Sequence, residues 1–171
     1  MLIDSYIVPQ CEYGPGSFGG LMALYESNYL RLIQLLGPLE VGPAQNNHEN
    51  FNHTLELNSC STDDEDLFLK VESSVRYTQV LRLTYMFDEP DGCIADPDLC
   101  IRVYLDARMT EVVSWAAHHR HAVLRDLHGR FARPVGQCWS RNMVLSKWLD
   151  FLLEKGHSFV PVSRKQGMQT A

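Results

Sequence analysis

Between His118 and Arg133 the chain places His118, His119, Arg120, His121, Arg125, His128, Arg130 and Arg133 beside a single acid, Asp126. Guanidinium forks and imidazoles at this density form a donor patch able to hold a phosphate or an acidic partner, and the imidazoles would make it pH-sensitive. The plainer reading is a solvated connection whose charge offsets an acidic remainder. His118, His119, His121 and His128 could also ligate zinc with Cys138, but no recognised ligand spacing is present, so no metal is expected. A second constellation lies on alternating stretches: Arg82 stands opposite Leu81 and Leu83, and Arg102, Tyr104 and Asp106 share one side of IRVYLD. Arg76 sits near a strand end. If these strands are neighbours, Arg76, Arg82, Arg102, Tyr104 and Asp106 gather into a clamp for an anionic ligand. Ordinary cross-strand ion pairs on a solvated face explain the same pattern.

The elements that must position these residues follow from periodicity. Leu21, Leu24, Tyr25, Asn28, Leu32, Leu35 and Leu36 recur at three- and four-residue spacing and predict a helix over 20–36, stopped by Gly37-Pro38. Asn28 interrupts this apolar stripe and needs a partner, expected to be a loop or strand carbonyl. Alternation then takes over: Leu55 and Leu57; Leu67, Leu69 and Val71; Leu81, Leu83 and Tyr85; Ile101, Val103 and Leu105; and EVVSWAA. Polar turns such as STDDED join these runs and are too short for helical crossovers, so an antiparallel meander is predicted. DEPDGCIADPD reads as a long loop, and 118–137 as a strand or a loop. Val144, Leu145, Trp148, Leu149, Phe151 and Leu152 predict a final helix from about 139 to 154, stopped by Gly156. Trp115, Trp139 and Trp148 are expected in the core.

The fold class predicted is α+β: an antiparallel meander sheet of about five strands, with an N-terminal and a C-terminal helix packed on one face. Residues 1–19 read as an irregular arm holding Tyr6, Tyr13 and Phe18, 20–162 as one domain, and 163–171 as a polar tail. At 171 residues the chain is long enough for one core. A net charge of −6 argues against coating nucleic acid or an anionic membrane. No apolar run approaches the roughly 20 residues of a membrane span. An N-terminus without Lys or Arg lacks the basic region of a secretory signal, which predicts a cytoplasmic chain. Cys11, Cys60, Cys93, Cys100 and Cys138 show no CxxC spacing and read as free thiols, with Cys93 and Cys100 the one pair near enough in sequence to weigh as a disulfide.

Four blocks in this order, YESNYLRLIQLLG, VESSVRYTQVLRL, IRVYLDARMTEVV and KWLDFLLEKG, resemble the YqiB-like family of proteobacterial proteins, a domain of unknown function. The resemblance implies a cytoplasmic bacterial protein with no established activity. Phosphate-binding glycine loops, the GxSxG elbow and HExxH are all missing from the sequence. The reading that results is a non-catalytic binding or regulatory protein without a cofactor. Its partner would be another protein or a small anionic ligand, and self-association as a homodimer is compatible with it. The alternatives are a small enzyme or sensor for a phosphorylated metabolite or nucleotide, and an RNA-binding protein.

Overall fold

The computed structural model describes residues 16–38, 55–130 and 134–160, with backbone only at residue 55 and at 127–130. Most of the N-terminal arm, with Tyr6 and Tyr13, lies outside the described residues, as do Arg133 and the tail.

Helix α1, Phe18–Leu36, starts two residues earlier than the predicted residue 20 and takes in the end of the expected arm. Ser17 caps it, its hydroxyl accepting from Gly20 N–H at 3.1 Å. Gly37 closes it at φ 85°, a left-handed position that a glycine takes without a Cβ clash, and donates to Ile33 O at 2.8 Å. The sheet follows as β1 Leu55–Ser59, β2 Leu67–Val75, β3 Thr78–Glu89, β4 Gly92–Tyr104 and β5 Met109–Ser114. The strands pair in sequence order, each antiparallel to the next, so the meander is open, with β1 and β5 at its edges. Then come α2, Ala122–Arg130, and α3, Pro134–Glu154. No helix among the described residues is long and apolar enough to cross a membrane.

One face of the sheet builds the core. Leu67, Leu69, Leu81, Leu83, Leu99, Ile101, Val103 and Val112 meet Tyr29, Leu32 and Leu35 of α1 and Leu145, Leu149 and Leu152 of α3. A leucine fully withdrawn from water stabilises the fold by roughly 2 kcal/mol, and this double row of leucines fastens both helices to one side. Trp115 and Trp148 pack half-buried against the core, and Trp139 is half-buried.

Four expectations need correction. Residues 88–98 are not a loop: β3 and β4 stay paired through Glu89↔Gly92. Pro90 falls at the tip of that hairpin and Pro97 in a register shift between Leu83 and Tyr85, two places where a strand tolerates a missing N–H. Residues 122–130 are a helix, neither strand nor loop. Of its described side chains only Leu124 is partly buried; those at 122, 123, 125 and 126 are exposed. Helix α3 begins at Pro134 rather than near 139, because its first turn is largely solvated and proline suits the first helical position. Asn28 does find a backbone carbonyl, but on a helix: its Nδ2 donates to Asn142 O at 3.0 Å.

Candidate functional site

The strand residues that point away from the helices line a groove of about 940 Å³. Strand β3 supplies Arg82, Thr84, Met86 and Asp88 at two-residue intervals, the period that puts side chains on one face. Across from them β4 contributes Cys93, Ala95 and Asp98. The step from Ala95 to Asp98 is three residues because the bulge re-phases the strand, and Asp96, opposite Tyr85, turns inward between them. From β2 come Phe68 and Lys70, from β1 Glu56 and Leu57, and residues 64–66 form a wall.

Charge on this surface is mostly negative. Glu56, Asp64, Glu65, Asp66, Asp88 and Asp98 face only Lys70 and Arg82, and both bases are already engaged. Lys70 Nζ lies 3.2 Å from Glu56. Arg82 donates to Glu72 at 2.6 Å and to Asp98 at 2.9 Å, contacts that hold its charge more firmly, Glu72 foremost. Between the carboxylates lie two exposed apolar groups, Phe68 and Met86, while Leu57, opposite Leu69, stands on the other face of β1 at the rim. The groove is therefore acidic with apolar ground beneath.

The wall is held from behind. Tyr85 OH donates to Asp64 Oδ2 at 2.6 Å, and His157 Nε2 lies 3.1 Å from the same oxygen. On its other side His157 Nδ1 meets Ser59 Oγ at 3.2 Å, and Ser158 N–H donates to that hydroxyl at 3.1 Å. A neutral ring protonated at Nε2 satisfies every group: it donates to Asp64 and accepts the Ser59 proton at Nδ1. Serine, histidine and aspartate in sequence suggest acyl transfer, but the geometry argues otherwise. The His157 side chain has no exposure and Ser59 is buried, so a substrate carbonyl has no approach to the hydroxyl. The nearby Cys60 thiol is exposed, yet its hydrogen bond to Asp66 and the cost of desolvation push its pKa up, opposite to an activated nucleophile.

The residues expected to form an anion clamp occupy separate places. Arg82 is in the groove. Arg102 and Tyr104 lie on the same face of β4 but turn to Glu111 of β5, at 3.4 and 2.7 Å, and Tyr25 of α1 reaches the other oxygen of that carboxylate at 3.3 Å. Arg76 stands in the β2–β3 turn over the Tyr77 ring. Asp106, in the β4–β5 turn, accepts from the Ala107 N–H. Within the basic segment, His118, Arg120, His121 and Arg125 are exposed, whereas His119 is buried and meets Asp96 at 2.8 Å. Arg120 pairs with Glu89 at 3.0 Å and lies over Phe87, and Arg125 donates to the carbonyls of His119 and Arg120. The side chains of His128 and Arg130 lie outside the described residues, like Arg133. Cys60, Cys93, Cys100 and Cys138 are free thiols. Cys93 and Cys100 are seven residues apart on one strand, roughly 20 Å at about 3.3 Å per residue, too far to bridge. No cluster of metal-ligating groups occurs among the described residues.

Sequence reasoning missed the groove wall. STDDED has the composition of a solvated turn, and only folding brings Asp64 against Tyr85 and His157. Met86 and Asp88 were within reach of periodicity, since the interval begun by Arg82 continues through them.

Burial raises the pKa of Tyr85 and Tyr25, and the adjoining carboxylates, Asp64 and Glu111, raise it further. A phenol whose folded pKa lies above its unfolded value of about 10 stabilises the fold fully below that pH, and the contribution is lost as pH rises beyond it. We expect the phenolate absorbance of these two tyrosines to appear together with loss of near-ultraviolet dichroism above about pH 10. Smooth ionisation of every tyrosine in an intact fold would contradict their burial.

No curated protein and no solved structure matches the chain. A family model does match, over residues 32–158, described as a protein of unknown function (DUF1249). That span covers the sheet, the last five residues of α1, the whole of α3 and the Ser59–His157 contact. The chain thus belongs to the DUF1249 family of proteins of unknown function.

Proposed function

We propose that this is a non-catalytic binding protein, of the YqiB-like group and the bacterial cytoplasm, whose helix-free sheet face takes a cationic segment of a protein partner. The charge of the groove carries the reading: six carboxylates face two bases that are already paired. An anion placed there would meet net repulsion, whereas lysine or arginine side chains would meet carboxylates and lay their aliphatic stems on Phe68 and Met86. Catalysis is not part of the proposal, because the serine, histidine and aspartate that come together are buried in a structural contact.

Fluorescence anisotropy with labelled heptalysine at low salt tests it, beside heptaglutamate and a thermal-shift panel of phosphate and nucleotides. Heptalysine is expected to bind and to weaken with added salt. Replacing Glu65→Gln, Asp66→Asn and Asp88→Asn together removes three exposed carboxylates. At roughly 0.2–1 kcal/mol each this lowers affinity by about tenfold. Binding of phosphate or a nucleotide in preference to heptalysine would overturn the proposal and favour the anion clamp.

A further inference from the structure

The two edges of the sheet are not equivalent. At β5 the backbone is engaged from outside: Asn142 Oδ1 of α3 accepts the Val112 N–H at 2.9 Å. Among the described residues strand β1 ends the sheet on the other side, and residues 56–58 are exposed. An edge strand directs every second N–H and C=O outward, a template for another chain. Here that template adjoins the acidic groove, because Glu56 and Leu57 line it.

The side chains of β1 specify what would pair with it. Glu56 and Asn58 share one face, and Leu57 has the opposite one. On the occupied side, β2 answers with Leu69 opposite Leu57 and Lys70 opposite Glu56, followed by Val71. The Lys70–Glu56 contact shows that a base across from this glutamate forms an ion pair. A chain on the open side meets the same two demands: an apolar residue beside Leu57, which is 38% exposed, and a base beside Glu56. Continuing this pattern carries further bases toward the groove.

We infer that the partner segment joins the sheet at β1 as an added strand, with basic and apolar residues in alternation. This rests on the reading of the groove as a cation-binding surface and names the conformation and pattern of its ligand. A helical ligand would use the groove without the edge.

Two labelled peptides separate the ideas: heptalysine, and a seven-residue peptide alternating valine and lysine. With fewer charges, the alternating peptide is nonetheless expected to bind about tenfold more tightly, because valine favours the extended strand that hydrogen-bonds to the edge and packs beside Leu57. Methylating all its backbone amides is expected to abolish that gain, and amide exchange at residues 56–58 is expected to slow when the unmethylated peptide binds. A gain that survives methylation, no gain at all, or unchanged exchange at 56–58 would overturn strand addition and leave the groove reading standing. Failure of both peptides to bind would remove both.

Discussion

Asn142→Ala is expected to destabilise the protein by about 2–4 kcal/mol, since a buried donor left unmatched costs roughly 1–3 and each lost hydrogen bond about 1. Asn142 is wholly buried and serves three elements at once. Its Oδ1 accepts the Val112 N–H of β5, its Nδ2 donates to Cys138 O at 2.8 Å within α3, and its carbonyl accepts from Asn28 of α1. Alanine keeps the third contact and loses the first two, so the Val112 N–H is left buried beside a methyl group. Urea denaturation should show a lower midpoint with an unchanged slope, the mark of lost stability without a change in the surface exposed. Asn28→Ala removes a single donor and should cost about 1 kcal/mol. An Asn142→Ala loss no greater than that of Asn28→Ala would mean the β5 edge finds another partner.

The second large effect is expected at the groove wall. Asp64→Ala removes the acceptor for Tyr85 OH and His157 Nε2 together. Hydrogen bonds to a charged group are worth roughly 1.5–3 kcal/mol, and Asp64 is partly exposed, so a loss of about 2–3 is expected. Much of it should belong to the pair: a double-mutant cycle of Asp64→Asn with Tyr85→Phe is expected to give a coupling of about 1 kcal/mol. Additive losses would mean that the two groups do not share this contact in solution. Amide exchange near residues 60–66 should quicken in Asp64→Ala while the core leucines stay protected.

How much of this was legible in advance depended on the physical signal. The leucine rows of α1 and α3 and the alternation of β2 and β3 are long and regular, and the sheet with two helices on one face follows from them. Helix α2 is short, and Val123, Leu124 and Leu127 are too few among its charged neighbours to fix a helical period against the solvated loop that the histidines and arginines suggest. The hairpin at 88–98 was hidden by Pro90, Gly92 and Pro97, which mark loops in isolation but here occupy a tip and a bulge. The anion clamp depended on Arg82, Arg102 and Tyr104 sharing a face, which they do; the ordinary ion pairs weighed beside it are what form, with Glu72, Asp98 and Glu111 as the acids. The acidic wall was legible as charge, not as position. Asp64 finds Tyr85 twenty-one residues away and His157 ninety-three away.

That last separation bears on the order in which the protein is made. Ser59 receives the Ser158 N–H across ninety-nine residues, and Ser61 donates to the Lys155 carbonyl across ninety-four. Closing a loop this long costs more chain entropy than pairing neighbouring strands does. A chain emerging from the ribosome can pair its strands and seat α1 while residues 155–158 are still inside the exit tunnel. Its groove then lacks the support behind Asp64. Until residues 155–158 emerge, the meander stands without the His157 and Lys155 contacts that fix the 59–64 turn in place.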